Sequence, residues 1–209
     1  MDKLYQYISE HSAPQSEALE WIRRQTFLRT NHARMLSGPV QGSLLTMLVQ
    51  CTGTVRALEI GTFTGYASVC IAQGLSEGGH LDTLEINDEL VDLIHQGWQR
   101  AGVADRISLI AGPALETLGR LQGPYDFVYI DANKREYCAY YDAVLPLVRP
   151  GGLILADNTL WDCKILEEPL PVDAQTQEIA RFNDKIAADD AVTVLMLPLR
   201  DGLTMIRKK

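Results

Sequence analysis

A chain of 209 residues, 46% hydrophobic and 22% charged, has the length and composition of one globular domain with a full-sized core. Its formal net charge of −8 argues against a broad phosphate-tracking face, which needs clustered Lys and Arg, and so disfavours nucleic acid as a partner. Four cysteines (Cys51, Cys70, Cys138, Cys163) lie in or beside apolar segments without any Cys-x-x-Cys, which suits reduced thiols in a cytoplasmic protein. The start, Met1-Asp2-Lys3-Leu4, is no secretory signal, and no apolar run approaches a membrane span.

Residues 2–30 read as two helices. Leu4, Tyr7 and Ile8 mark the first; Pro14 opens the second, with Leu19, Ile22 and Phe27 on one face. Arg23, Arg24, Arg29 and Arg34 read as a solvated face on this cap, with a dimer contact or a grip on an acidic substrate tail as the alternatives. Met35 to Gly42 is a loop by its Gly-Pro content and leads into an apolar helix over 43–51. A helical cap (1–50) thus precedes an α/β core (51–209), the two forming one domain over 1–209.

From there apolar runs and helical periodicity alternate. Strands are predicted over 55–60, 81–86, 106–110, 125–130 and 152–156, and helices over 66–75, 88–101, 113–121 and 134–148, with Asn87 or Asp88 as a cap. Alternation at this spacing gives a doubly wound parallel sheet with helices on both faces. The end differs. A helix over 173–188 is followed by strands over 191–197 and 203–207, and the short turn Pro198-Leu199-Arg200-Asp201-Gly202 makes them antiparallel. The fold class is α/β, with a seven-stranded, mostly parallel sheet closed by a C-terminal antiparallel hairpin. The irregular stretch 164–175, with Pro169 and Pro171, is long enough to overhang a site.

The first strand runs into Glu59-Ile60-Gly61-Thr62-Phe63-Thr64-Gly65-Tyr66. Strand, glycine turn and helix is how such sheets meet a nucleotide-like ligand, and glycine lets backbone approach it closely. The spacing is Gly-x-x-x-Gly, not the pyrophosphate-holding Gly-x-Gly-x-x-Gly, and no Gly-x-x-x-x-Gly-Lys is present. Glu59 inside the motif suits a cationic or hydrogen-donating ligand part, and Glu85, ending the second strand, suits ribose hydroxyls. A nucleoside without phosphate points to S-adenosylmethionine.

Two further strand ends carry polar residues: Asp131-Ala132-Asn133-Lys134 and Asp157-Asn158-Thr159-Leu160-Trp161. In a doubly wound sheet these ends face one edge, so Asp131, Asp157 and Asn158 converge near Gly61. Two carboxylates and an amide oxygen form a hard donor set that suits Mg²⁺ (or Mn²⁺ or Ca²⁺) and not zinc. Any one of them alone more commonly caps a turn.

The Glu59–Tyr66 motif resembles the first motif of the cation-dependent O-methyltransferases, the family of catechol and caffeoyl-coenzyme A O-methyltransferases, and the resemblance runs from about Met35 to the C-terminus. It implies a Rossmann-like methyltransferase fold, a homodimer, and methyl transfer to a small-molecule aromatic diol. It places the metal on Asp131, Asp157 and Asn158, and S-adenosylmethionine among Met35, Ser37, Glu59, Gly61, Thr62, Gly65, Ala67, Glu85, Ile86, Pro113, Ala114 and Asp131. Asn133 and Trp161 fall at substrate positions, and Lys134 with Asp131 at catalytic ones, Lys134 to accept or share the hydroxyl proton. The chain departs from the family at Ala67, where many relatives have serine, and at Asn133, where aspartate is common. Competing readings are a hydroxylated tRNA base as acceptor, a nucleotide-dependent oxidoreductase, and a cofactor-binding scaffold without activity.

Overall fold

Strands that are apolar at successive positions need cover on both faces. β1 (Arg56–Ile60), β4 (Tyr125–Ile130) and β5 (Val148–Asp157) are of this kind. A computed structural model describes residues 3–209; residues 1 and 2, which the first helix was expected to include in part, lie outside the described residues. Alternate strand residues part into two cores. Ala57, Phe127, Tyr129 and Leu155 pack with α2 (Glu17–Arg29), α3 (Pro39–Cys51), α4 (Tyr66–Gly74) and α5 (Val91–Ala101). Leu58, Ile60, Val128, Ile130 and Ile154 pack with α7 (Tyr137–Val144) and α8 (Ala174–Ala187). The remaining helices are α1 (Lys3–Glu10) and the short α6 (Ala114–Leu118).

With β2 (His80–Glu85), β3 (Ile107–Ala111), β6 (Val192–Leu197) and β7 (Leu203–Lys208), the sheet has seven strands in the order β3-β2-β1-β4-β5-β7-β6. β3 to β5 pair in parallel, and β7 runs antiparallel to both β5 and β6. The strand order reverses between β1 and β4, the switch point at which open α/β sheets form their crevice. Register then aligns the site: Ile60 faces Ile130, and Ile130 faces Ala156. Gly61, Asp131 and Asp157 therefore stand side by side along one edge. Because Asp157 also pairs with Leu203, the β6–β7 turn reaches this same edge.

Element boundaries differ from expectation for local reasons. α2 starts at Glu17, not Pro14, because Ser16 caps it, its hydroxyl accepting from Leu19 N at 3.3 Å. Phe27 is 61% exposed; Thr26 takes the inward position, its hydroxyl donating to Ile22 O (2.8 Å) and lying 2.9 Å from the Thr64 hydroxyl, which can donate to it. α3 begins at Pro39, whose fixed φ suits a first helical residue, so the expected 35–42 loop ends at Gly38. The predicted 134–148 helix is a single turn at Lys134–Glu136, then α7, then a second such turn at Leu145–Leu147 containing Pro146. Arg23, Arg24, Arg29 and Arg34 are all exposed, as a solvated face requires.

The motif glycines answer to protein neighbours. A Cβ on Gly61, at φ +97°, would fall 2.1 Å from the Asp131 carbonyl oxygen, and one on Gly65, at φ +80°, 2.7 Å from the Trp98 indole nitrogen. Both glycines were expected to open the backbone to a ligand; packing against Asp131 and Trp98 already demands them. Gly61→Ala is expected to pry the β1 and β4 tips apart and to cost about 3 kcal/mol or more of stability. Urea unfolding would register this as a lower midpoint.

Candidate active site

The turn after β1 is held by the tip of β2. Glu85 Oε2 accepts from the backbone N–H groups of Thr62 (3.1 Å) and Phe63 (2.7 Å), and Oε1 from Asn87 N (2.8 Å). The Thr62 and Thr83 hydroxyls meet at 2.6 Å below it. Glu59 lies beneath the turn and is fully buried. Its Oε2 accepts from the Ser68 hydroxyl and from Thr83 Oγ1 (2.6 Å), and its Oε1 has no partner among the described residues. Burial pushes its pKa up from 4.5 to about 8; the Ser68 and Thr83 hydrogen bonds offset part of this, and the charges of Asp131 and Glu85 add to it. Glu59 was expected as a carboxylate toward a cationic or hydrogen-donating part of the ligand. Its parity along β1 instead turns it toward α4, where it is a neutral acid at pH 7 in the ligand-free chain. Ser68 points away from Ala67, as its helix position predicts.

Ile86, 74% exposed, and Pro113, also exposed, follow the neighbouring strands β2 and β3, which end in register at Glu85 and Ala111. Ala114, half-buried, opens α6 beside them. These apolar surfaces suit a flat ring. Met35 is exposed, and Ser37 is buried with its carbonyl accepting from Arg200.

The β4 and β5 tips carry the ionisable centre. Tyr129, Asp131 and Asp157 share strand parity and face α3. The Tyr129 hydroxyl donates to Asp157 Oδ2 at 2.9 Å and lies 3.4 Å from Asp131 Oδ2. Gln41 Nε2 donates to the same Asp157 oxygen (2.6 Å) and to the Tyr129 hydroxyl (2.7 Å). Asp157 Oδ1 accepts from Asn158 N at 2.8 Å. Burial first, and then the Asp131 charge, push the Asp157 carboxyl above its ordinary pKa, against Lys134 and the Gln41 and Tyr129 donors. Lys134 is buried; its ammonium donates to Asp131 Oδ1 (2.9 Å) and to the Tyr137 hydroxyl (2.6 Å). That hydroxyl in turn donates to the backbone oxygen of Asp157 (2.8 Å), tying the two strand tips.

Asn158 adopts φ +59°, and its amide nitrogen donates to Asp201 Oδ2 at 3.2 Å. Trp161 is half-buried against the second core, its indole N–H without a partner among the described residues. Asn133 is exposed and caps the turn at Lys134–Glu136, its Oδ1 accepting from Arg135 N at 3.3 Å. Among the described residues no group of three or more His, Cys, Asp and Glu is placed to hold a metal ion; the expected set has two carboxylates and an amide. Gln41, Tyr129, Tyr137, Arg200 and Asp201 join the site without having been read from the sequence. Arg200 and Asp201 were within reach, since an antiparallel β7 must turn at the carboxyl edge of β5.

A family model described as O-methyltransferase matches residues 9–209. Caffeoyl-CoA O-methyltransferase 2 of Zea mays is 36% identical over 223 residues, covering 99% of this chain and 83% of the maize protein. Caffeoyl-CoA O-methyltransferase of Eucalyptus gunnii is 35% identical, with 99% and 88% covered. Among solved structures, the Bacillus cereus O-methyltransferase in complex with SAH superposes with a TM-score of 0.88 at 32% identity, covering 98% of this chain and 96% of that one. TomG of Streptomyces achromogenes, in complex with SAM, gives 0.93 at 28%, covering 100% and 99%.

Glu59 makes stability depend on pH. The folded chain holds its proton up to about pH 8 and the unfolded chain only to about 4.5. Its stabilising contribution is complete below the lower value and is lost as pH rises toward the upper one, at about 1.4 kcal/mol per pH unit. Glu59→Gln is expected to flatten that slope, so that denaturant unfolding at pH 5 and pH 8 shows the variant gaining on the natural chain at the higher pH.

Proposed function

Given that the chain belongs to the O-methyltransferase family, we propose that it transfers a methyl group from S-adenosylmethionine to one hydroxyl of a vicinal dihydroxy aromatic molecule, with a divalent cation such as Mg²⁺ on Asp131, Asp157 and Asn158. One observation carries this reading: two carboxylates from adjacent strand tips converge on a single buried hydroxyl, that of Tyr129, beside the β1 turn. Burying like charges together is unfavourable, and a divalent cation would relieve it. The donors fit such a cation, being hard oxygens with few protein ligands, which leaves room for water or substrate oxygen. The Asn158 nitrogen is committed to Asp201, which leaves its amide oxygen for the cation.

Bound there, a divalent cation would make an aromatic hydroxyl more acidic and neutralise developing negative charge. S-adenosylmethionine would supply the electrophilic methyl. The chain's own residues bind, orient and hold protons. Glu85 fixes the turn that faces the nucleoside and keeps a carboxylate at the ribose position. Ile86, Pro113 and Ala114 offer apolar surface to the adenine. Lys134, held between Asp131 and Tyr137, presents an ammonium at the strand tip, where it stabilises a phenolate oxygen and shares its proton. The curated relatives are named for a caffeoyl ester, whose ring carries vicinal hydroxyls, and this supports the acceptor class.

Asp157→Ala is expected to lower methylation of a catechol probe by a factor of about 100 or more, with S-adenosylmethionine binding retained. A strong chelator should do the same to the natural chain. Undiminished turnover in either case removes the metal from the reaction.

A further inference from the structure

Gln41 sits in the first turn of α3, far in sequence from every strand tip, yet its amide lies at the centre of the carboxyl edge. Three contacts define it. Nε2 donates to Asp157 Oδ2 at 2.6 Å and to the Tyr129 hydroxyl at 2.7 Å, and Oε1 accepts from Arg200 Nη1 at 3.0 Å. An amide can be turned either way round, but a guanidinium only donates. Arg200 therefore requires the oxygen on its side and so presents the nitrogen to Asp157. Arg200 is itself anchored, since the same Nη1 donates to the Ser37 carbonyl oxygen.

The consequence falls on Asp157. Its Oδ2 receives two donors, Gln41 and Tyr129, and its Oδ1 receives Asn158 N. Each contact offers a hydrogen and none asks for one, so the side chain is held as an acceptor in one orientation. We propose that Gln41 is a positioning residue for Asp157: with its amide locked by Arg200, it orients that carboxylate for the cation. The inference rests on the metal reading above. Groups of this kind, bonded to a ligand and not to the metal, set affinity through the ligand's orientation.

The test is Mn²⁺ titration by calorimetry, in the absence of methyl donor and acceptor, on the natural chain, Gln41→Leu, Arg200→Met and the double variant. Gln41→Leu should weaken Mn²⁺ binding about 10- to 100-fold. Arg200→Met should weaken it less, and the double variant should be no worse than Gln41→Leu, because the two residues act in series. Turnover of Gln41→Leu on a catechol probe should recover toward the natural rate at saturating Mn²⁺, which a merely misfolded variant would not do. Natural-strength Mn²⁺ binding by Gln41→Leu overturns the inference and leaves the metal reading intact. A natural chain that binds no Mn²⁺ overturns both. If Gln41→Leu fails to fold, Arg200→Met decides, since Arg200 is an exposed turn residue; Mn²⁺ affinity unchanged in that variant overturns the proposal.

Discussion

The constraint on which this molecule turns is the crowding of two carboxylates, Asp157 buried and Asp131 half-buried, at neighbouring strand tips. Parallel register puts Asp131 and Asp157 side by side, and burial together with their mutual repulsion destabilises the ionised state of Asp157. An uncompensated pair of this kind would cost several kcal/mol. The surrounding structure supplies compensation from three directions. α3 brings Gln41, α7 and the turn before it bring Tyr137 and Lys134, and β4 itself brings Tyr129. Every one of these groups donates. The network is therefore satisfied on the protein side while keeping net negative charge, the condition under which a cation gains most from entering.

The same edge shows how fold and site use the same atoms. Gly61 has no side chain because the Asp131 carbonyl occupies the space, so the turn that would face the cofactor is packed against the residue that would face the metal. Glu85 accepts three backbone N–H groups in the ligand-free chain, which holds the turn rigid before anything binds. A carboxylate already fixed in place loses little freedom on meeting ribose hydroxyls, and preorganisation of that kind lowers the cost of binding. Glu59 contributes differently. Its two hydroxyl donors join β1, β2 and α4 below the turn, a structural link formed by a neutral acid.

What the sequence revealed, and what it concealed, follows from the range of each signal. The alternation of β1 through β5 and the antiparallel end were legible because period and turn length are local. Asp131, Asp157 and Asn158 were legible for a related reason: a residue just after an apolar strand goes wherever that strand goes. Helix boundaries failed where one side chain decided them, as at Ser16, which moved the start of α2 three residues past Pro14. The burial of Glu59 was not legible because the motif gave its position along the strand but not its face. Asn133 is one residue from Lys134, yet it spends its side chain on a cap while Lys134 turns inward.

Gln41 and Arg200 belong to another class. Gln41 follows no strand, Arg200 lies three residues beyond the end of β6, and no periodicity selects either from other polar residues of a first helical turn or a hairpin tip. They meet because β6, antiparallel to β7 and so parallel in direction to β5, ends at the same edge as the other parallel strands, and its turn carries Arg200 to Gln41. The tight turn into β7 keeps residues 198–202 at that edge, whereas a long crossover would carry the chain away from it after a few residues. The antiparallel hairpin is thus more than a way of ending the sheet. It delivers a fixed positive charge to an edge built around negative ones, at a distance where that charge can orient an amide without neutralising the carboxylates directly.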